Sequence, residues 1–293
     1  MKTLIIVPAF NEELTVGSIV ALASKYGDVL VIDDGSKDRT AEIAKRIGAR
    51  VLRHTRNIGK GAALVNGFKH ALQNGYDVVV CIDADGQHDP DEIPRLLEPI
   101  NRGKADIVIG SRYLSNSKVP FYRRMGLILI NFIMRLIAPG TKVRDTQSGL
   151  RAFKVSILRD LEVSSLGYET ESEILIKALE KGYRVIEIPA NIKYNVPKGH
   201  KIGALSHGLI IIKHLINILS YNRPLLFFGT LGLTCLFIAS VLAMWALEPY
   251  PTMRRIYLTQ MVGAGIFTVL GIQLLTTGLI LNYLNIQRKI LKE

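Results

Sequence analysis

Two long stretches near the C-terminus contain no charged residue, and they constrain the fold more than any other feature of the chain. Leu225–Leu247 and Leu258–Leu284 are each long enough, as helices, to cross a bilayer core of about 30 Å. Apolar residues make up 48% of the sequence and are concentrated in this region. The proline-containing connection over residues 248–257 is short. The sequence therefore predicts a transmembrane helical hairpin over residues 224–293, preceded by a soluble domain.

Basic residues flank this hairpin and indicate its orientation. Arg223 precedes the first apolar run, whereas Arg288 and Lys289 follow the second. Because positively charged flanks favour the cytoplasmic side, both termini and the soluble domain are expected in the cytoplasm. Arg254 and Arg255 in the connection argue against this orientation.

The two cysteines and the N-terminus agree with a cytoplasmic soluble part. Cys81 lies in a run typical of a buried strand and Cys235 lies in the first membrane span, so no disulfide is predicted. The N-terminal run Leu4–Val7 is too short for a signal peptide and leads into Pro8 rather than a cleavage site. We therefore expect a cell-membrane protein with two spans.

Upstream of the hairpin, short apolar runs alternate with helical patterns, which predicts an α/β fold. The predicted strands are Leu4–Val7, Val29–Ile32, Arg50–Leu52, Val78–Ile82, Ile107–Ile109 and Val185–Ile188. The polar segment Asp145–Phe153 is predicted to be a loop that enters a further strand. The predicted helices are Glu13–Lys25, Thr40–Ile47, Gly61–Asn74, Asp91–Arg102 and Glu169–Lys181. Continuous Val, Ile and Leu runs are typical of strands buried on both faces of a parallel sheet. The β-α order predicts a Rossmann-like, doubly wound, mostly parallel sheet, which binds ligands at the carboxyl ends of its strands.

Two further segments have basic, amphipathic patterns suited to a membrane surface. Residues 121–137 mix Arg123 and Arg124 with apolar residues at helical spacing. This pattern favours either an interfacial helix or an ordinary surface helix packed on the sheet. Residues 201–223 form a second amphipathic stretch that leads into the first span. The soluble domain is therefore expected over residues 1–200.

The chain is strongly basic, with a formal net charge of +12. Nucleic acid, an anionic lipid surface and phosphorylated substrates all suit such a charge. No zinc-finger spacing or RNA-binding aromatic signature is visible in the sequence, whereas two membrane spans are. The charge therefore indicates a lipid surface together with phosphate ligands, and nucleic acid is not expected as a partner.

Polar motifs follow three of the predicted strands, at the edge where such sheets bind ligands. They are Pro8–Glu13, Asp33–Ser36 and Asp83–Pro90. In an extended backbone Asp83 and Asp85 would point the same way, and close carboxylates repel unless a cation separates them. Oxygen ligands suit Mg2+ or Mn2+, and Gln87 can add a neutral oxygen. A turn rich in Asp and Gly, without any ligand, is the alternative.

This ordered series of motifs resembles the family 2 glycosyltransferases with a GT-A fold. The resemblance is carried by Pro8-Ala9-Phe10-Asn11-Glu12-Glu13, Asp33-Asp34-Gly35-Ser36 with Asp38 and Thr40, and Asp83-Ala84-Asp85-Gly86-Gln87-His88. Gly110–Tyr113, Asp145 with Ser148–Arg151, and Ile186–Pro189 narrow it to the dolichyl-phosphate mannose synthase-like branch, which includes polyprenyl-phosphate glycosyltransferases. The resemblance covers residues 3–205.

The resemblance implies roles for the matching positions. The nucleotide pocket would be lined by Pro8, Ala9, Asn11 and Glu12, with Asp34 near the ribose or base. The metal and the donor diphosphate would be bound by Asp83, Asp85 and Gln87. The acceptor phosphate would be held by Arg112, Arg124 and Lys201. Arg123 is the alternative to Arg124. Lys201 follows His200, where the branch usually has serine, so the sequence departs from the Gly-x-Ser-Lys pattern at this point.

The implied reaction is metal-dependent, inverting transfer of a hexose from a nucleotide-sugar of the GDP-mannose or UDP-glucose type to dolichyl or polyprenyl phosphate. A phosphate monoester is mostly dianionic near neutral pH because its second pKa is about 6, so it needs cations rather than a strong base. Arginine suits this task because its planar fork matches phosphate oxygens. Two alternatives stay open. The first is a small processive polysaccharide synthase, although no Gln-x-x-Arg-Trp segment is present in the sequence. The second is a non-catalytic membrane scaffold or lipid-handling protein built on a transferase-like domain.

Three other features have an ordinary structural interpretation beside a functional one. Gly59-Lys60-Gly61 lacks the full phosphate-loop pattern and is read as a tight helix entry, with Lys60 near the nucleotide as the alternative. His88 is either a loop histidine or a metal ligand. Glu169, Glu171 and Glu173 suit the start of a helix, where carboxylates favour the helix dipole, or one of them contacts the donor sugar.

Overall fold

The structure, a computed structural model, describes residues 1–114, 143–161, 170–191, 216–217, 219–221, 223–248 and 257–290. Within it the chain forms two compact units, Met1–Ile211 and Ile212–Glu293. Arg123, Arg124, Lys201, the helix over 121–137 and most of the stretch over 201–223 lie outside the described residues. What the sequence indicates for them stays a prediction.

Strands and helices alternate along the first unit. Its strands are β1 (Thr3–Ala9), β2 (Asp28–Asp33), β3 (Arg50–Arg53), β4 (Val78–Cys81), β5 (Ile107–Ser111), β6 (Arg151–Lys154) and β7 (Val185–Pro189). Its helices are α1 (Val16–Ala23), α2 (Thr40–Arg46), α3 (Lys60–Gln73), α4 (Ile93–Asn101), α5 (Val155–Leu158) and α6 (Thr170–Glu180), and a short 3-10 helix, Pro90–Glu92, precedes α4. The predicted strands and helices are present, with ends that differ by a few residues.

Within the described residues, the strands form one seven-stranded sheet in the order β3-β2-β1-β4-β6-β5-β7. Every pairing is parallel except those of β6, which runs antiparallel to both β4 and β5. Ala152 of β6 lies opposite Val80 of β4 on one side and Val108 of β5 on the other. The prediction of a mostly parallel, Rossmann-like sheet is confirmed, with one reversed strand near its middle.

Burial on both faces of the sheet explains the uninterrupted apolar runs. Leu4, Ile5, Ile6 and Val7 of β1 have no exposed surface, because helices cover both sides of the strand. On one side α3 lies so close that a Cβ on Gly67 would come within 2.6 Å of Ile6 Cδ1. This close packing fixes α3 on the sheet and places its first residue, Lys60, at the edge where the parallel strands end.

The second unit contains two long apolar helices, α7 (Pro224–Leu247) and α8 (Leu258–Ile290). Both are long and apolar enough to cross a membrane, with mean hydropathies of 2.3 and 1.9 in their most apolar windows. They pack through glycines, because a Cβ on Gly232 would lie 2.8 Å from the carbonyl oxygen of Gly271. Large apolar side chains such as Phe237 and Met244 face outward. Small residues that allow close backbone approach and apolar outer faces are typical of membrane helices.

Candidate active site

The loops after β1 and β2 are joined by hydrogen bonds at the carboxyl edge of the sheet. The amide of Asn11 donates to Ser36 Oγ at 2.9 Å, and its side-chain Oδ1 accepts from the amide of Lys37 at 2.9 Å. The amide of Glu12 donates to Thr40 Oγ1 at 2.8 Å. Asn11 has a φ of 55°, a left-handed conformation that asparagine tolerates better than most residues. The two motifs therefore form one rigid wall that includes the predicted nucleotide-pocket residues Pro8 and Ala9 of β1.

Asp34 is buried and its carboxylate holds another loop of this wall. Its oxygens accept from the amides of Ile58 at 3.0 Å and Gly59 at 2.8 Å, and Oδ1 lies 2.7 Å from Nδ1 of His54. Asn66 in turn lies 2.8 Å from the other ring nitrogen of His54. These contacts fix the loop that enters α3 through Gly59, whose φ is 104°. That Asp34 lies near the ribose or base stays a prediction, and the contacts show that its carboxylate supports the loop before α3.

Asp83 and Asp85 lie beyond the end of β4, and Ala84 and Asp85 form a turn. The extended backbone predicted for the pair is therefore not present, and that prediction is wrong. Both carboxylates are nevertheless close enough to Glu12 to raise the pKa of its carboxyl group. Burial, followed by repulsion from Asp85, raises the pKa of Glu12 to about 7, and Asp38 and Asp83 add to this effect. Negative charge is therefore concentrated around Glu12 and Asp85, and a cation placed there would relieve the repulsion.

Lys60 lies between two of the acidic side chains. Its Nζ is 2.6 Å from Asp83 Oδ1 and 2.7 Å from Glu171 Oε1. On the other side of Asp83 the chain comes very close, because a Cβ on Gly149 would lie 2.2 Å from Asp83 Oδ2. Lys60, Glu171 and Gly149 thus determine where the Asp83 carboxylate lies, a function that neither residue type nor spacing revealed in the sequence.

The oxygen-only character of Asp83, Asp85 and Gln87 fits Mg2+ or Mn2+. Among the described residues there is no group of three or more His, Cys, Asp or Glu side chains that could hold a metal ion. Such ions commonly use one or two carboxylates and take their remaining ligands from substrate phosphates and water. The donor set therefore fits an ion that is bound together with a diphosphate. The backbone N–H of Gln87 also donates to Asp85 Oδ1 at 2.9 Å, which fixes the turn.

Arg112 directly follows β5 and is held by Asp145. Its Nε lies 2.7 Å from Asp145 Oδ2, and its Nη2 donates to the carbonyl of Gln147 at 3.3 Å. Asp145 is fully buried and donates its own amide to Glu187 Oε1 at 2.6 Å. Only 14% of the Arg112 side chain is exposed. These contacts fix the orientation of the guanidinium, and its predicted contact with the acceptor phosphate stays a prediction.

His88 lies within the electrostatic influence of this site. Burial lowers its pKa to about 4, although Asp83 opposes the shift, and Arg112 and Lys60 contribute to the lowering. The imidazole is consequently neutral at physiological pH. The two interpretations of His88, as a loop histidine or as a metal ligand, stay predictions.

Arg151 is a residue whose importance the sequence did not show. It is only 2% exposed, and its guanidinium donates to the carbonyls of Ser148, Thr146 and Glu171, each at 2.8 Å. It therefore joins β6 to the start of α6, where Glu171 lies. The Ser148–Arg151 motif was the only signal for it.

The comparisons with known proteins agree with this geometry. The sequence model of the family described as glycosyl transferase family 2 matches residues 4–162, more than half of the chain. The UDP-N-acetylglucosamine–dolichyl-phosphate N-acetylglucosaminyltransferase of Methanococcus voltae is 34% identical over 65% of this chain and 85% of its own length. The polyprenol monophosphomannose synthase of Mycolicibacterium smegmatis is 34% identical over 64% of this chain and 76% of its own.

The fold is also found in solved structures. The crystal structure of glucosyl-3-phosphoglycerate synthase from Mycobacterium tuberculosis, in complex with Mn2+, uridine diphosphate and glucosyl-3-phosphoglycerate, matches with a TM-score of 0.61 and 23% identity. The match covers 75% of this chain and 79% of that one. At this identity the likeness supports the GT-A-like fold, and the family match and the curated relatives support the activity. The chain therefore belongs to glycosyl transferase family 2 and is a glycosyltransferase.

Proposed function

We propose that this glycosyltransferase transfers a hexose from a nucleotide-sugar to a polyprenyl or dolichyl phosphate, with inversion and with Mg2+ or Mn2+. The observation that carries the proposal is the pairing of an acidic group with a fixed arginine at one edge of the sheet. Asp83, Asp85 and Glu12 are crowded together. Burial opposes the change, but Lys60 above all, then His88 and Arg112, lower the pKa of Asp83. A donor bound through a metal and an acceptor bound through a cation would meet there.

Each part of the chain has a distinct task in this reaction. Pro8, Ala9, Asn11 and Glu12 would form the nucleotide wall, with Asp34 fixing the loop behind it. Asp83, Asp85 and Gln87 would hold the ion, which supplies neutralising charge for the departing diphosphate. Arg112, with Arg124 and Lys201, would hold the acceptor phosphate so that one of its oxygens faces the anomeric carbon. Because that phosphate is already an anion, its positioning matters more than removal of a proton.

The identity of the donor is the most open part of the proposal. The two relatives described above are equally similar to this chain, at 34% identity. One of them is named for UDP-N-acetylglucosamine and the other for mannose transfer. Identity to relatives therefore does not choose among donors. UDP-N-acetylglucosamine joins GDP-mannose and UDP-glucose as a candidate.

The two apolar helices support a location at the membrane, where a polyprenyl phosphate is found. We propose that both termini and the catalytic unit face the cytoplasm, which is the side that supplies nucleotide-sugars. A cysteine introduced at Thr252 should then be labelled from outside intact cells by an impermeant maleimide, whereas one introduced at Glu293 should not. The opposite labelling pattern would refute this topology.

The proposal is tested by incubating the purified full chain with Mn2+, a polyprenyl phosphate and, in turn, each labelled donor. One donor should give a lipid-soluble product that carries a single sugar. The product should not form in excess EDTA or without the lipid. Transfer to water alone, or to a growing polymer, would contradict the proposed acceptor, and the polymer would favour the processive synthase.

A further inference from the structure

The ammonium group of a lysine contacts the carboxylate that is expected to bind the metal. Lys60 Nζ contacts Asp83 Oδ1 at 2.6 Å and Glu171 Oε1 at 2.7 Å. About a quarter of the Lys60 and Asp83 side chains is exposed, at 25% and 26%, whereas the Glu171 side chain is only 7% exposed. One positive charge therefore neutralises part of two largely buried negative charges.

Lys60 stays charged in this position. Its Nζ lies within hydrogen-bond distance of two carboxylates, and attraction to both favours the ammonium form. The ammonium group is also held in place. The backbone carbonyl of Glu171 accepts from the buried Arg151 at 2.8 Å, and Gly149 closes off Asp83 on its other side. These contacts fix the backbone at Glu171 and limit the space beside Asp83, so both carboxylates are placed next to Lys60.

A divalent ion and an ammonium group compete for the same carboxylate. Two cations on one carboxylate repel strongly at distances of a few ångströms in a partly buried site. An ion that arrives alone must displace Lys60 from Asp83, and the contact of Lys60 with Glu171 is already made before the ion arrives. An ion that arrives with a diphosphate brings a new anion to which Lys60 can turn.

On the basis of the proposed function, we propose that Lys60 is an internal counter-cation that competes with the divalent ion for Asp83. Lys60 keeps the site closed to free metal and yields Asp83 when the ion enters together with the donor diphosphate. Glu171 is the second anchor that keeps the ammonium group within reach during this exchange. Lys60 is thus a positioning residue for metal and donor loading.

The test measures Mn2+ binding to the purified full chain, without nucleotide, by electron paramagnetic resonance titration. Lys60→Met should bind Mn2+ about tenfold more tightly or better, because it removes a positive charge next to the ion. Lys60→Arg keeps the charge and should bind as weakly as the parent. The matched control is Lys154→Met, which removes a lysine paired with Asp106 at 3.0 Å and with 28% of its side chain exposed.

Thermal unfolding of the same proteins gives an independent readout. In EDTA, Lys60→Met should unfold at a lower temperature than the parent, since two carboxylates lose their counter-cation. Mn2+ should restore it and should raise its unfolding temperature more than that of the parent or of Lys154→Met.

Unchanged or weaker Mn2+ binding in Lys60→Met would overturn the inference, as would an equal gain in Lys154→Met or no Mn2+ binding by any of the proteins. The outcome is separable from the proposed function. If Lys60→Met gains Mn2+ affinity but the parent transfers no sugar to any polyprenyl phosphate, the proposed reaction fails and the competition at Asp83 stands.

Discussion

Gly149→Ala is expected to damage catalysis far more than folding. The added Cβ would lie 2.2 Å from Asp83 Oδ2, and ordinary contacts begin at 3.4 Å, so one side must move by about 1.2 Å (3.4 less 2.2). The backbone at Gly149 cannot easily give way, because the neighbouring Ser148 donates its hydroxyl to the carbonyl of Gly110 at 2.6 Å. Asp83 should therefore shift, and its contact with Lys60 should break.

The size of the effect follows from this displacement. Misplacement of a catalytic group by about 1 Å costs on the order of 100-fold in rate. Overpacking of a buried site typically costs about 1–3 kcal/mol in stability, which the domain should survive. The assay is the initial rate of sugar transfer with the donor that supports the parent enzyme, divided by the amount of folded protein. Calorimetry with Mn2+ and the corresponding nucleotide should show weakened binding.

Gly67→Ala is the matched control for overpacking. Its Cβ would lie 2.6 Å from Ile6 Cδ1, so α3 and β1 are crowded without any change at an aspartate. This variant should lose stability yet keep nearly the parent rate per folded molecule. If Gly149→Ala also keeps nearly the parent rate, or if both variants lose activity equally, the placement of Asp83 is not what Gly149 protects.

Three further outcomes are expected. Asp85→Asn should nearly abolish transfer while the fold is retained, as judged by thermal unfolding; full activity would remove Asp85 from the metal site. Arg124→Ala should raise the Km for polyprenyl phosphate by about one to two decades, because one charge-assisted contact is lost, and leave nucleotide binding unchanged in calorimetry. Loss of nucleotide affinity instead would assign Arg124 to the donor. Asp106→Asn should lower the free energy of unfolding at pH 7 by about 2–3 kcal/mol. Hydrogen bonds from Arg184, opposed by burial, hold the pKa of Asp106 below its ordinary value. Its contribution is therefore present above pH ~4 and is lost as pH falls further, so denaturation curves of parent and variant should converge in acid.

The regular part of the fold could be predicted because each element carries its own signal. Apolar runs such as Val78–Cys81 are strands buried on both faces, and the uncharged stretches become α7 and α8. The ends were less predictable. The helix expected from Glu13 begins at Val16, because the preceding residues form the turn that bonds to the loop after β2.

The pairing of distant segments could not be predicted from one sequence. No local pattern shows that β6 runs antiparallel between β4 and β5, since its residues fit a parallel strand equally well. The same holds for the site. Asp83 and Asp85 were recognisable as a motif, but the contacts of Asp83 with Lys60 and with Gly149 depend on the packing of α3 and of the loop before β6.

The strand order also has a consequence for synthesis of the chain. Strands β1 to β4 are neighbours in the sheet and can pair before β5 and β6 have been made, because all four lie upstream of β5 in the chain. β5 cannot join them until β6, which lies between β4 and β5 in the sheet, has been made. Until then the nascent domain exposes an unpaired edge at β4, and unpaired edges recruit other strands. Completion of the sheet, rather than its initiation, should therefore be the step at which this enzyme is most exposed to aggregation and most dependent on chaperones.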